Sequence, residues 1–204
     1  MTAEKVLGLC GFYGSGKDML AKKVTELAPS FHHAKFADPL IRIAKESHPE
    51  WSQHTSWETV KKTDRKFANT LGESIRKNIS PFVFANKLIE DTKTYKNIVI
   101  SDVRLPEEHK LLTKTFEDKY YLVLVDSPLQ TSPDNDDSYL NTAHLSFIDD
   151  VSYFVSHRVS EDPSSLMNSL FLDEAARSLL RNYPTDSMLE ELNSYWRRWR
   201  RWTS

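Results

Sequence analysis

Short, continuous apolar runs alternate along the chain with segments in which apolar positions recur at helical spacing. The runs predict five buried strands, at Val6–Gly11, His33–Ala37, Asn97–Asp102, Tyr121–Asp126 and Val151–Val155. Helical patterns lie between the strands, over residues 17–27, 65–79 and 82–92. Two further helices are predicted to begin at Pro39, with Asp38 as the N-cap candidate, and at Pro106. Strands that are apolar throughout and alternate with helices are typical of a parallel sheet covered on both faces. We therefore predict an α/β fold with a five-stranded parallel sheet flanked by helices, in which the loops after the strands share one edge.

The chain has 204 residues, which is enough for one domain with attachments. We assign residues 1–160 to the α/β domain and residues 48–92 within it to a helical insert. A stretch rich in Pro, Asp and Ser predicts a loop that spans about residues 127–147. Residues 161–204 are predicted to form a helical C-terminal extension with a break near Pro184.

The charge balance excludes one broad class of function. Lys and Arg number 27 and Asp and Glu number 29, so the net charge of −2 argues against a polybasic nucleic-acid binder. No apolar run reaches the roughly 18 residues that a membrane span requires. The single cysteine, Cys10, cannot form an internal disulfide, and the first residues lack a signal-peptide pattern, so we expect a cytoplasmic protein.

Four of the five glycines lie between residues 8 and 16, which indicates a requirement of the backbone there. Residues 11–18 fit the phosphate-loop pattern G-x-x-x-x-G-K between a strand and a helix, with Asp18 where Ser or Thr is usual. Curled amides, the helix N-terminus and the Lys17 ammonium would together bind the phosphates of ATP. The predicted ATP-binding residues are Gly11, Tyr13, Gly14, Ser15, Gly16, Lys17, Asp18 and Met19.

Carboxylates and arginines near the strand ends supply candidates for metal and phosphate contacts. Asp18 and Asp102 are candidate Mg²⁺ ligands, and the predicted catalytic residues are Lys17, Asp18, Asp102 and Arg104. Transfer to a phosphate acceptor needs cations between two anions rather than a strong base, so the predicted substrate-binding residues are Asp38, Arg42, Arg65, Arg76 and Arg104. Simpler roles stay open for each: complementing a helix dipole, capping a helix, a surface ion pair, or a solvated arginine.

Four segments, in order along the chain, resemble a known family. They are Gly14–Asp18, Phe36–Leu40, Leu71–Glu73 with Arg76 and Pro81–Val83, and Ile98–Glu108, which reads IVISDVRLPEE. Together they look like the bacteriophage-type deoxynucleoside monophosphate kinases, relatives of the animal phosphomevalonate kinases, over roughly residues 5–158.

The resemblance implies the three-layer P-loop fold of the nucleoside monophosphate kinase type. It also implies phosphorylation of deoxynucleoside 5′-monophosphates to diphosphates with ATP and Mg²⁺, for DNA precursor synthesis, by a homodimer, in the host cytoplasm if the chain is phage-encoded. By position it assigns residues 11–18 to ATP, Asp38 and Arg42 to the acceptor side, and Arg76, Asp102 and Arg104 to the phosphates.

The chain departs from the family pattern in the lid, the loop of residues 127–147. No arginine follows the fourth predicted strand, and the lid segment reads His144–Leu145–Ser146–Phe147, without the family's acid. No Lys or Arg lies between Lys119 and His157. A lid without cations leaves three options: the arginines of the insert offset the γ-phosphate charge, a partner helps, or activity is weak.

The C-terminal tail alternates tryptophan with arginine. Trp196, Trp199 and Trp202 recur every three residues and would form one aromatic stripe on a helix. The stripe fits docking on the body or on a second copy of the chain. Contact with nucleic acid or another protein, or with a membrane surface, stays open.

The sequence leaves three functions to compare. The first is a deoxynucleoside monophosphate kinase. The second keeps the fold and takes another phosphorylated metabolite, such as phosphomevalonate. The third is a nucleotide-binding interaction module with weak or no kinase activity, in which the basic tail is the working surface.

Overall fold

A computed structural model describes residues 3–12, 14–47, 65–126 and 143–156. Its strands are β1 (Lys5–Cys10), β2 (Phe31–Ala34), β3 (Asn97–Ile100), β4 (Tyr120–Asp126) and β5 (Tyr153–Ser156). They form one sheet of order β2-β3-β1-β4-β5, and every neighbouring pair is parallel. The predicted five-stranded parallel sheet is confirmed, with β1 at its centre.

Helices join the strands and cover the sheet. Among the described residues they are α1 (Lys17–Leu27), α2 (Ala37–Ser47), α3 (Arg65–Asn78), α4 (Val83–Thr92) and α5 (Pro106–Phe116), with 3₁₀ segments at Glu117–Lys119 and Ala143–Asp150. None of the helices in these ranges has the length and apolar character needed to span a membrane.

The two faces of the sheet are buried under different helices. Alternate residues of β1 point to opposite faces, so Leu7 and Leu9 pack with Leu20 and Val24 of α1. Val6 and Cys10 pack on the other face, in a cluster that contains Leu88 of α4 and Leu112 and Phe116 of α5. The molecule therefore has three layers, helix–sheet–helix, as the sequence predicts.

One close contact inside the sheet needs a glycine. A Cβ built on Gly8 in β1 would lie 2.7 Å from the ring and hydroxyl of Tyr120 in β4. The Tyr120 hydroxyl lies 3.2 Å from Nδ1 of His109 on α5, and Nε2 of His109 lies 2.9 Å from Asp150. This chain of polar contacts, which begins in the core and ends at the exposed Asp150, fastens the 3₁₀ segment Ala143–Asp150 to the helix layer.

Two predicted boundaries at the second strand are wrong. The strand spans Phe31–Ala34 rather than residues 33–37, and α2 begins at Ala37, so Asp38 lies in the first helical turn and is not the N-cap. The physical reason is Asp102, whose carboxylate accepts the backbone N–H groups of Phe36 (2.8 Å) and Ala37 (3.0 Å). Those two donors thus serve the start of α2 instead of extending the strand.

The ends of other elements differ slightly from the predicted ones. β5 lies at residues 153–156 rather than 151–155, and β3 ends at Ile100, so Ser101 and Asp102 follow the strand. The end of the predicted lid loop, residues 143–147, belongs to the 3₁₀ segment Ala143–Asp150, because Phe147 is buried in the main core and holds that segment on the body. Residues 48–64 of the insert, 127–142 of the lid and 157–204 lie outside the described residues.

Candidate functional site: a phosphate loop and its surroundings

The glycine-rich segment connects the end of β1 to the start of α1. Gly11, Gly14 and Gly16 have φ values of 130°, 78° and 84°, in the region that side chains with a Cβ rarely adopt. At Gly11 a Cβ would also collide with the backbone carbonyl of Val125 at the end of β4. Three of the four clustered glycines are therefore required by the backbone, which is what the sequence pattern indicates.

Lys17 is the first residue of α1, and its ammonium lies inside the loop. The side chain donates to the carbonyl oxygens of Gly11 (2.9 Å) and Phe12 (2.6 Å) and to the hydroxyl of Ser15 (3.1 Å). Only 7% of Lys17 is exposed. A full positive charge therefore stands at the N-terminus of α1, where the helix dipole also favours an anion.

Asp18 follows on α1 and faces the neighbouring strand β3. The Ser101 hydroxyl donates to the Asp18 carboxylate across 2.5 Å, and the Lys35 ammonium lies 3.1 Å from the same oxygen. His33 of β2 contacts the Ser101 hydroxyl through Nε2 at 2.8 Å. Because the single hydroxyl hydrogen of Ser101 goes to Asp18, Nε2 of His33 is the donor in that contact.

Asp102 lies at the same sheet edge but points to a different element. Both of its carboxylate oxygens accept N–H groups at the start of α2, as described above. Burial raises the pKa of Asp102, while these hydrogen bonds and the positive charge of Arg104 oppose the rise. The role of Asp102 as a metal ligand stays a prediction, and its described contacts are those of a helix cap.

Glu108 is a buried acid that the sequence analysis missed. Its carboxylate accepts the backbone N–H groups of Arg104 (3.0 Å) and Leu105 (2.9 Å) where α5 begins. Burial, followed by the negative charge of Asp102, raises the pKa of Glu108 to about 7. Glu108 thereby fixes the backbone at Arg104, the predicted phosphate ligand.

A cavity of about 220 Å³ lies between β2, α2 and α4. The predicted acceptor residues Asp38 and Arg42 both line it, and so does Lys35, which also contacts Asp18 of the loop. Arg42 pairs with Asp91 of α4 on the cavity wall. Partial burial raises the pKa of Asp38, and the charge and backbone N–H of Lys35 oppose that rise. Lys35 thus connects the phosphate loop to the cavity.

The remaining predicted residues occupy separate places. Arg76 of α3 lies over the ring of Phe84 at 5.5 Å, and its positive charge opposes the rise in the pKa of Glu108. Met19 is 37% exposed on α1. Tyr13, the side chain of Arg65 and the side chain of His144 lie outside the described residues, as does the tail with its tryptophans.

The structure adds four residues to the predicted site: His33, Lys35, Ser101 and Glu108. Ser101 stands next to Asp102 in the ISDVR segment, and that proximity is the signal from which it could have been found. His33 and Lys35 belong to no sequence motif that would mark them as functional. Their contacts depend on the pairing of β2 with β3, in which Ala34 lies opposite Ile100.

The residues of the loop fit a nucleoside triphosphate with one divalent cation. The loop offers three glycines in conformations that turn amides inward, together with the Lys17 ammonium. Within the described ranges no three His, Cys, Asp or Glu side chains cluster for metal binding. Mg²⁺ bound to phosphate oxygens needs only one or two protein carboxylates, and the predicted ligand Asp18 is a carboxylate at the loop.

A parallel sheet with a glycine-bent loop and a buried lysine between its central strand and the next helix defines the class: a P-loop α/β protein. No protein-family model matches the chain. No curated protein sequence matches it either.

Three kinases are among the solved structures that are similar to this chain. Shikimate kinase from Acinetobacter baumannii, in complex with shikimate, has a TM-score of 0.47 and 10% identity over 88% of this chain and 92% of that one. The APS kinase of Mycobacterium tuberculosis, in complex with AMPPNP and APS, has a TM-score of 0.40 and 14% identity over 88% of this chain and 97% of that one. Dephospho-CoA kinase from Campylobacter jejuni has a TM-score of 0.44 and 11% identity over 86% of this chain and 96% of that one.

Proposed function

We propose that this chain transfers the γ-phosphoryl group of ATP to the phosphate of a deoxynucleoside 5′-monophosphate. The observation that carries the proposal is the buried Lys17 ammonium inside a glycine-bent loop at the N-terminus of α1. Amides, helix dipole and ammonium together favour a polyphosphate at this place. The choice of acceptor follows the resemblance of the four sequence motifs to the phage-type kinases.

Each element has a proposed task in the transfer. Lys17 and the loop amides hold the β- and γ-phosphates, and Asp18 would hold Mg²⁺, which would supply further positive charge to the phosphates. Asp102 fixes the start of α2 and so keeps Asp38 and Arg42 at the cavity. Arg104 stands beside Asp102, on a backbone that Glu108 holds in place, and contacts the transferred phosphate.

Transfer between two phosphates requires cations that offset their mutual repulsion. Residues 120–156 contain no Lys or Arg, so this segment supplies none of those cations. Lys35 is the best placed, since it contacts Asp18 and lines the cavity. Arg42 and Arg76 lie on α2 and α3 of the same side. We propose that this group replaces the cations of a lid.

A substrate panel tests the proposal. The protein is incubated with ATP, Mg²⁺ and each of the four deoxynucleoside monophosphates in turn, and products are separated by ion-exchange chromatography. We expect equal amounts of ADP and one deoxynucleoside diphosphate with at least one acceptor. ATP binding without product from any acceptor would contradict the proposal and favour the interaction module.

A second candidate is a kinase for a smaller phosphorylated metabolite such as phosphomevalonate. The cavity favours it, because about 220 Å³ is below the roughly 300–1,000 Å³ of most ligand pockets. The same panel extended with phosphorylated metabolites separates the two candidates. Product from a metabolite and from no nucleotide would assign the chain to this second group.

A further inference from the structure

The hydrogen bond between Asp18 and Ser101 joins the phosphate loop to the next strand in the sheet. The usual P-loop pattern ends in a Ser or Thr hydroxyl that faces Mg²⁺, and an aspartate follows the neighbouring strand. In this chain the acid is on the loop and the hydroxyl follows the strand. The acid and the hydroxyl that meet here have exchanged places, whereas the second acid after the strand, Asp102, binds the start of α2.

The geometry supports an exchange of roles rather than a chance contact. The oxygens of Asp18 and Ser101 are 2.5 Å apart, within the range of a charge-assisted O–H···O⁻ hydrogen bond. Ser101 is 1% exposed, so its hydroxyl has no free access to water. The side chain of Asp18 is 40% exposed, in contrast to that of Ser101.

Strand β2 supplies two further contacts to the same pair. His33 lies within 2.8 Å of the Ser101 hydroxyl, and Lys35 lies 3.1 Å from the Asp18 carboxylate. Positions 33 and 35 are two apart, so they face the same side where the chain leaves the strand. His33 donates to the oxygen of Ser101, which directs the hydroxyl hydrogen of Ser101 at Asp18. The carboxylate is thus held by two donors, Lys35 and Ser101, that directly follow neighbouring strands.

We propose that Ser101 and His33 are positioning residues that orient the Asp18 carboxylate toward a divalent cation, in a reciprocal exchange of the usual acid and hydroxyl. The inference rests on the proposed function, because it presupposes that the loop binds ATP with Mg²⁺. It makes Ser101, rather than the neighbouring Asp102, the partner of the phosphate loop. Asp102 serves α2 instead.

The test compares ATP binding with and without Mg²⁺ by isothermal titration calorimetry. In Ser101→Ala we expect the affinity for ATP with Mg²⁺ to fall about tenfold or more, as for a lost hydrogen bond to a charged group, while metal-free ATP binds as it does to the wild type. A loss that is merely structural would reduce both affinities. Ser101→Thr keeps the hydroxyl and should restore the Mg²⁺ effect.

Ser30→Ala is the matched control. Ser30 contacts Asn97 at the opposite end of β3, far from the loop, and both affinities should stay at the wild-type level. The exchange itself is tested by the double variant Asp18→Ser with Ser101→Asp, which should recover most of the Mg²⁺-dependent affinity that Asp18→Ser loses. Thermal unfolding confirms that each variant is folded.

Two results would overturn the inference while leaving the proposed function intact. One is wild-type dependence on Mg²⁺ in folded Ser101→Ala. The other is a folded double variant that binds ATP with Mg²⁺ no better than Asp18→Ser alone. A wild-type protein that binds no ATP under either condition would instead refute the proposed function.

Discussion

At the scale of single residues, charged groups near the loop are held by backbone amides and carbonyls. The Lys17 ammonium is bound by two carbonyl oxygens and a hydroxyl, and the carboxylates of Asp102 and Glu108 each accept two N–H groups. Backbone groups cannot move away as side chains can. The charges therefore stay at fixed positions around the site.

Glu108 should make stability depend on pH. Its pKa is about 7 in the folded protein and 4.5 ordinarily, so between these values the folded state keeps a proton that the unfolded state has released. The free energy of unfolding therefore falls as pH rises through this window, by about 3 kcal/mol at most. Urea unfolding at a series of pH values measures this fall in the free energy of unfolding.

Glu108→Gln removes this titration while keeping a carbonyl oxygen at the site. We expect the variant to lose that part of the pH dependence, and to equal or exceed the wild type in stability above neutral pH. Glu107→Gln, next to it and partly exposed, is the matched control and should follow the wild type. Identical pH profiles for wild type and Glu108→Gln would show that folding does not raise the pKa of Glu108.

At the scale of elements, one carboxylate connects a strand end to a helix start. Asp102 follows β3 and binds the N-terminus of α2, two elements that lie apart in sequence. The N–H groups at a helix start have no partner within the helix, so a buried acceptor there stabilises it. This connection places the predicted acceptor residues Asp38 and Arg42 relative to the sheet edge.

Asp102→Asn should destabilise the protein. The asparagine oxygen can accept one of the two N–H groups, and its NH₂ leaves the other without an acceptor, which costs about 1–3 kcal/mol. Chemical unfolding measures the loss, with exposed Asp118→Asn as the control. We expect the Mg²⁺ dependence of ATP binding to be unchanged. A weakened Mg²⁺ dependence at wild-type stability would instead support the metal-ligand role that the sequence predicts.

At the scale of the whole molecule, the sequence predicts the layers better than the contacts between them. Short runs of β-branched apolar residues such as Ile98–Ile100 favour buried strands, and the clustered glycines indicate a bent loop, so both were predictable. The partners of Asp18 could not be predicted, because they follow β2 and β3, and the pairing of strands leaves no local signal in the sequence. The start of α2 was misplaced for the same reason: its cap, Asp102, is 65 residues away along the chain.

The whole molecule also determines where positive charge can act. The parallel strands bring the ends of β1, β3 and β4 to one edge, and the cations described at that edge come from β1–α1, β2–α2 and β3–α5. The chain between β4 and β5 carries none. If the account is right, transfer depends on the β2 side of the loop, where Lys35 joins it to the cavity.

The most direct test of the account is ATP binding to a lysine variant of the loop. By calorimetry with Mg²⁺, we expect wild type and Lys22→Ala to bind ATP, since Lys22 lies on the same helix with 77% of its side chain exposed. Lys17→Ala should bind roughly 10- to 100-fold more weakly, because it loses a buried charge-assisted contact with phosphate. Wild-type affinity in a folded Lys17→Ala protein would contradict the central claim that this loop holds the triphosphate.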